Sequence, residues 1–259
     1  MNNLKSSILI SRAKQKNKVQ LAVQQWLKFA IKQIVSDLTK VIHKAEGESF
    51  VNLIHWDIIE TKGEEILFPT IQATYLAGKN AASRHVGIRG VFDIYDFQAA
   101  EAARTLTSEL ITNVTTTTKT AISEQIAIGI ENGLSMSQVA TEIQPLIGLT
   151  PAQATSVRNL RDRLVQEGVA PAKIRRLVNL ESKKKLILRT NTIARTETAR
   201  AQSLGYIERM RDLGVTKLEL HTSDGCDSCK SKAGEYPVEE ARSLIPVHPQ
   251  CRCVLLPIL

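Results

Sequence analysis

The chain has 259 residues, 43% of them apolar and 23% charged, with a net charge of +8. That is ample material for a buried core. No apolar run approaches the ~18 residues of a membrane span, and M-N-N-L-K-S-S-I-L-I-S-R lacks the long apolar core of a secretory signal. A soluble protein made in the cytoplasm, without a membrane partner, is therefore expected. Aromatics make up only 4%, so the core must use Leu, Ile, Val and Ala, which suits helices.

The charge is unevenly spread: +8 over residues 1–44, −7 over 45–157 and +7 over 158–259. Basic ends around an acidic middle suit contact with a polyanion, or else helix faces that simply use Lys on their solvated side.

Residues 15–44 read as one amphipathic helix. Val19, Val23, Trp26, Leu27, Ala30, Ile31, Ile34, Leu38, Val41 and Ile42 form its apolar stripe, and Lys28, Lys32, Lys40 and Lys44 lie opposite. Gly47 is expected to close it. Phe50 to Phe68 is mixed in character. Residues 66–86 return to helical spacing until Gly87 and Gly90 interrupt it before V-F-D-I-Y. His55, Trp56 and His85 have no companions at ligand spacing and read as packing or surface residues.

From Phe97, the stripe Ala99, Ala103, Leu106, Leu110 and Val114 predicts a helix. The β-branched run Thr115 to Thr118 is a poor helix former, so it marks either a break or a place where packing overrides propensity. Ala121 to Ile130 resumes the helix and Gly133 stops it. Ser135-Met136-Ser137-Gln138 and Thr150-Pro151-Ala152-Gln153 read as capping boxes opening two helices, the first reaching about Ile147. Gly168 ends the second helix and Pro171 begins the next.

Ala172 to Leu213 is the basic helix of the second half. Arg175, Arg176, Lys183, Lys184, Lys185 and Arg189 are its candidate contacts to DNA phosphates, since cationic helices gain such affinity by counterion release. A solvated face is the plainer reading. No aromatics are interleaved, so base-stacking recognition of single strands is not expected.

After Gly214, Thr216 to Thr222 alternates as a strand. Tyr236 to Arg242 suggests a short helix, and Cys253 to Leu256 a closing strand. All four cysteines fall in this tail: Cys226 and Cys229 in D-G-C-D-S-C, then Cys251 and Cys253 in H-P-Q-C-R-C behind His248. A C-x-x-C turn followed some twenty residues later by a second Cys/His group is the spacing of a tetrahedral soft-metal site. Five candidates are present for four positions. In a C-x-C pair on a strand both side chains share a face, so both Cys251 and Cys253 are available. Structural zinc, one or two disulfides, and packed free thiols all remain open, with reducing cytoplasm favouring metal. His248, fixed by Pro249, reads equally as ligand or as hydrogen-bond support for a ligand. Metalloprotease, deaminase, hydrolase and phosphate-loop motifs are absent, and no enzymatic activity is expected.

Three blocks carry a family resemblance: I-A-R-T-E-T-A-R-A-Q-S-L-G (193–205), the strand with D-G-C-D-S-C-K-S-K-A-G (218–234), and H-P-Q-C-R-C-V-L-L-P (248–257). In order and spacing they resemble the phage head morphogenesis proteins of the Mu F type, the minor head proteins encoded beside portal proteins. The resemblance extends over about 95–257 and is most specific at H-P-x-C-R-C. The family's D-x-R-x-C is shortened here to Asp224-Gly225-Cys226, which leaves that Arg's place unfilled.

The resemblance implies a minor capsid protein that binds the portal, joins the procapsid and accompanies DNA, non-specifically bound, in the virion interior near the portal. Major capsid and scaffolding proteins are further expected partners. A zinc-knuckle nucleic-acid binder unrelated to virions is the alternative, and a cysteine-dependent enzyme, with Cys226 or Cys251 as nucleophile and His221 or His248 as base, a more distant one. The fold class expected is α+β: a predominantly α-helical body with a small C-terminal β-containing Cys/His knuckle. Its segments are an N-terminal helical region at 1–70, a central helical body at 71–190 and a Mu F-like domain at 191–259.

Overall fold

The computed structural model describes residues 2–41, 51–88, 96–222 and 225–258. Among the described residues, seven α-helices precede or interleave a small sheet: α1 (Asn2–Val41), α2 (Trp56–His85), α3 (Phe97–Glu131), α4 (Met136–Ile143), α5 (Pro151–Gln166), α6 (Pro171–Asp212) and the single turn α7 (Asp227–Lys230). Strands β1 (Lys217–His221), β2 (Gly234–Pro237) and β3 (Val254–Ile258) form one antiparallel sheet in the order β2-β1-β3. The fold is α+β, a helical body with a small C-terminal sheet, as the patterning predicts.

The chain divides into two units. The first holds residues 1–23, 64–108 and 191–259, and the second 24–63 and 109–190. Both are discontinuous in sequence, because α1, α2, α3 and α6 each contribute to both.

In the second unit the α1 stripe is buried: Trp26 and Ile34 are fully enclosed, and Trp26 Nε1 donates to the Ile59 carbonyl at 2.9 Å. The opposite side chains Lys28, Lys32 and Lys40 are exposed. Helix α1 starts thirteen residues before the expected Gln15, since Ile8 also finds core to bury against. Val41 and Ile42 of the stripe, Lys44, and the expected stop at Gly47 lie outside the described side chains or residues. So do Gly90 and the V-F-D-I-Y run.

Helix α2 begins ten residues before the expected position 66 and carries Pro69 inside it. Ile59, Leu67 and Ile71 are buried along one side. Tertiary burial outweighs the hydrogen bond that Pro69 removes. Gly87, at φ 73, follows its end. His55 is a surface residue, and Trp56 and His85 are half-buried. His55 pairs with Asp37 at 3.2 Å, Trp56 Nε1 donates to the Val51 carbonyl, and His85 stacks edge-on against Tyr206.

Helix α3 runs unbroken through Thr115 to Thr118. Thr117 and Thr118 donate their hydroxyls to carbonyls one turn back, at 2.9 and 2.7 Å, and Thr115 and Thr118 are buried. Packing overrides the weak helix propensity. Both capping boxes form as the sequence predicts, with Ser135 and Gln138, and Thr150 and Gln153, exchanging backbone and side-chain bonds. The α4 segment closes with a 3-10 turn, Gln144–Leu146.

The expected helix over Tyr236 to Arg242 is instead divided. Tyr236 and Pro237 belong to β2, paired with Leu218 and Lys217, and only Glu240–Ser243 winds, as one 3-10 turn. Pairing to β1 recruits a segment whose local pattern is ambiguous.

The first unit buries an ionic cluster. Lys79, 2% exposed, places its ammonium 2.6 Å from Asp96 Oδ2 and 3.1 Å from Glu208 Oε1, and the Tyr75 hydroxyl donates to Glu208. Burial alone would raise the Asp96 pKa, but the Lys79 hydrogen bond and the N–H groups of Ala99 and Gln98 hold it below its usual 3.8. A depressed carboxyl stabilises the fold above the unfolded value and loses that contribution as pH falls through the folded one. Helical circular dichroism is therefore expected to fall with acidification below about pH 4, and Asp96→Asn to flatten that dependence while lowering stability at neutral pH. An acid limb identical in the two proteins would refute this.

Candidate metal centre

The Cys/His cluster is assembled by the sheet end of the first unit. Cys226 stands immediately before α7, and its carbonyl accepts from the N–H of Cys229 at 2.9 Å and of Lys230 at 3.0 Å, making a tight knuckle. Gly225 lets that knuckle close, since a Cβ there would lie 2.7 Å from Cys229 Cβ. Asp224 is outside the described residues. Cys251 and Cys253 sit just before β3, not within it, yet alternate as a strand would: both are buried, with Arg252 exposed between them.

All five expected residues come together. His248 Nε2 lies 3.0 Å from Cys229 Sγ and 3.3 Å from Cys226 Sγ, and Cys229 Sγ lies 4.0 Å from Cys251 Sγ. Cys226, Cys229 and His248 form one triad and Cys229, Cys251 and Cys253 another, each with donor atoms within 4.8 Å of one another. Cys229 belongs to both. The sulfurs are free thiols, too far apart for the ~2.05 Å disulfide bond.

The arrangement fits a metal ion. A tetrahedral ion with bonds of about 2.3 Å to sulfur and about 2.0 Å to nitrogen spaces its ligands roughly 3.6–3.8 Å apart. The 3.0–4.0 Å separations bracket that edge length. His248 is also oriented for it: Nδ1 donates to the Pro249 carbonyl at 2.7 Å, which leaves the Nε2 lone pair facing the thiols.

The electrostatics divide the thiols into two kinds. At Cys226, the Cys229 N–H bond lowers the pKa. At Cys251, burial opposes the thiolate but the N–H groups of Cys253 and Val247 prevail and lower it. Burial raises the pKa of Cys229 and Cys253.

Two supporting residues carry no sequence signal that would single them out. Gln250 adopts φ 65, uncommon for a residue with a side chain, between His248 and Cys251. It is held there by α6: its N–H donates to Thr196 Oγ1 at 3.1 Å, its Nε2 to Thr192 Oγ1 at 2.8 Å, and Arg195 donates to its Oε1 at 3.2 Å. Arg12 of α1 is buried and donates to the Cys253 carbonyl at 2.7 Å, Ser203 Oγ at 3.1 Å and Gln202 Oε1 at 3.3 Å. Its burial lowers its pKa to about 10, with the sulfurs of Cys251 and Cys253 opposing the shift.

Arg12→Met is expected to destabilise the protein by about 2–4 kcal/mol, because three acceptors lose a charged donor. Arg12→Lys should restore little of it, since one ammonium cannot reproduce the guanidinium fork. Urea unfolding measures both, and a loss under about 1 kcal/mol for Arg12→Met would count against the assignment.

The expected DNA-contact residues separate. Arg175, Arg176, Lys183 and Lys184 are exposed on α6, whereas Lys185 is half-buried and pairs with Glu181 at 3.5 Å. Arg189 is buried, donating to the Gly148 carbonyl at 2.5 Å and Thr117 Oγ1 at 2.6 Å. It clamps the second unit and is not at the surface. Among the described residues, no helix is long and apolar enough to cross a membrane. No family model, curated protein or solved structure matches the chain.

Proposed function

We propose that this chain is a minor head protein of a tailed phage, one that binds the portal protein, joins the procapsid and uses its Cys/His cluster to hold a structural zinc ion. The observation that carries the reading is that the three sequence blocks resembling the Mu F type are mutually packed. Thr192, Arg195 and Thr196, in and beside the first block, hold Gln250 of the third, and the third lies beside the second through β1 and β3. Zinc suits the donor set of thiolates and one imidazole. Cys226, Cys229, His248 and Cys251 are the ligands in this reading, with the Cys253 N–H supporting the Cys251 sulfur at 3.4 Å. Bound there, zinc would tie α7 to the base of β3 and take no part in catalysis.

Quantitative mass spectrometry of particles assembled with and without the portal protein tests the proposal. A few copies per particle, lost when the portal is omitted, are expected. Absence from both particle types would overturn it and favour the zinc-knuckle nucleic-acid binder. That alternative requires steeply salt-dependent DNA binding.

A further inference from the structure

Helix α6 presents a second feature, on residues 173–188 in the second unit. Its inner side packs Ile174 and Val178 into a core with Leu146, Leu149, Ala154, Val157 and Leu164. Its outer side leaves Leu180, Ile187 and Leu188 exposed at 51%, 60% and 52%. These fall at i, i+7 and i+8, one stripe spanning roughly two helical turns. Lys173, Arg176, Lys183 and Lys184 share the stripe and are exposed. Among the described residues these four cations have no carboxylate partner; the nearby Glu181 is engaged by Lys185.

We propose that this face docks an acidic amphipathic helix of a partner protein, with Leu180, Ile187 and Leu188 as its apolar anchors and Lys173, Arg176, Lys183 and Lys184 as its charge-matching rim. The proposal is independent of the virion reading and of the metal. Charge complementarity selects an acidic partner, and the anchors select a protein. Phosphate contacts use charged and polar side chains, so DNA would leave three large aliphatic groups uncovered between its contacts. A helix laid along the stripe covers them with its own apolar residues at i, i+3, i+4 and i+7. A bilayer needs a continuous apolar face, whereas here Lys183 and Lys184 straddle the line between Leu180 and Ile187.

The test uses the full chain and a fluorescent synthetic peptide with Leu at i, i+3, i+4 and i+7 and Glu on the flanks. A scrambled peptide, polyglutamate, a DNA duplex and phosphatidylserine vesicles serve as comparators. Saturable binding of the amphipathic peptide is expected, weakened about tenfold by scrambling. Leu180→Ser with Ile187→Ser, and separately Lys183→Glu with Lys184→Glu, should each weaken it by about the same factor without changing the melting temperature. Absence of peptide binding would overturn the proposal. So would DNA or polyglutamate binding as tightly as the peptide and indifferent to the Leu180/Ile187 variant, which would make the face a plain polyanion site. Vesicle binding in place of peptide binding, or self-association that the same variants abolish, would assign it instead to a membrane or to a second copy.

Discussion

Replacing Cys229 with serine is expected to abolish metal binding, because this one sulfur belongs to both triads. The wild-type chain, under reducing conditions in a native mass spectrum, should carry one zinc ion, and Cys229→Ser none. Cys251→Ser should also lose it, whereas Cys253→Ser should retain it. In isolated zinc-finger peptides, metal binding supplies roughly 10–16 kcal/mol to folding. The effect here should be smaller, since Leu218, Leu220, Val254, Leu255 and Leu256 already give the sheet an apolar core. A loss of a few kcal/mol is expected on chelation or in Cys229→Ser, read as a lowered melting temperature. A wild-type mass equal to the metal-free chain would sink the zinc reading. It would leave a cluster of packed thiols of which the exposed Cys226 is open to alkylating reagents in the folded state.

The second large effect is expected where α2 and α6 cross. A Cβ on Gly78 would lie 2.0 Å from the Gln202 carbonyl oxygen, and one on Gly205 would lie 2.1 Å from the Tyr75 carbonyl oxygen. Neither obstacle is a side chain that can rotate away; both are backbone. The helices would have to separate, and the Lys79–Glu208 ion pair and the Tyr75–Glu208 hydrogen bond at the same crossing would be strained with them. Overpacking ordinarily costs about 1–3 kcal/mol. With two backbones in contact, Gly78→Ala and Gly205→Ala should each reach or exceed about 3 kcal/mol in urea unfolding.

The double variant should cost less than the sum of the two, because the first substitution already opens the gap the second needs. Strict additivity would show two independent sites and contradict a shared crossing. Single-variant losses below about 1 kcal/mol would show a helix pair that yields easily.

Much of the helical body is legible in the sequence because its signals are local. The two capping boxes act within four residues. The α1 stripe from Val19 to Leu38 and the α3 stripe from Ala99 to Val114 need only a 3.6-residue period and one apolar side. The Cys/His cluster is equally legible as a set, since few arrangements other than a shared site explain C-x-x-C followed by H-P-Q-C-R-C. Its internal order is not. That Cys229 lies between two triads, and that His248 turns Nε2 toward the thiols, depends on how β3 and α7 meet across β1.

Where the sequence falls short, the deciding partner is distant along the chain. Helix α1 extends back to Asn2 because Ile8 and Arg12 have places beside residues 190 or more positions away. Tyr236 is in a strand because Leu218 is opposite it, and the threonines stay helical because Thr115 and Thr118 are buried. Arg189 belongs by pattern to a basic surface, yet the Gly148 carbonyl and Thr117 draw it inward. Gly78 and Gly205 would each read as a weakness of about 1 kcal/mol inside a helix, and only the crossing turns them into a requirement. Period, caps and ligand spacing act over a few residues, so the segments able to form helices and the residues able to hold a metal are legible locally. Where the helices end, which charges are buried and how the thiols are grouped emerge on folding, because those outcomes rest on contacts between segments that local pattern does not pair.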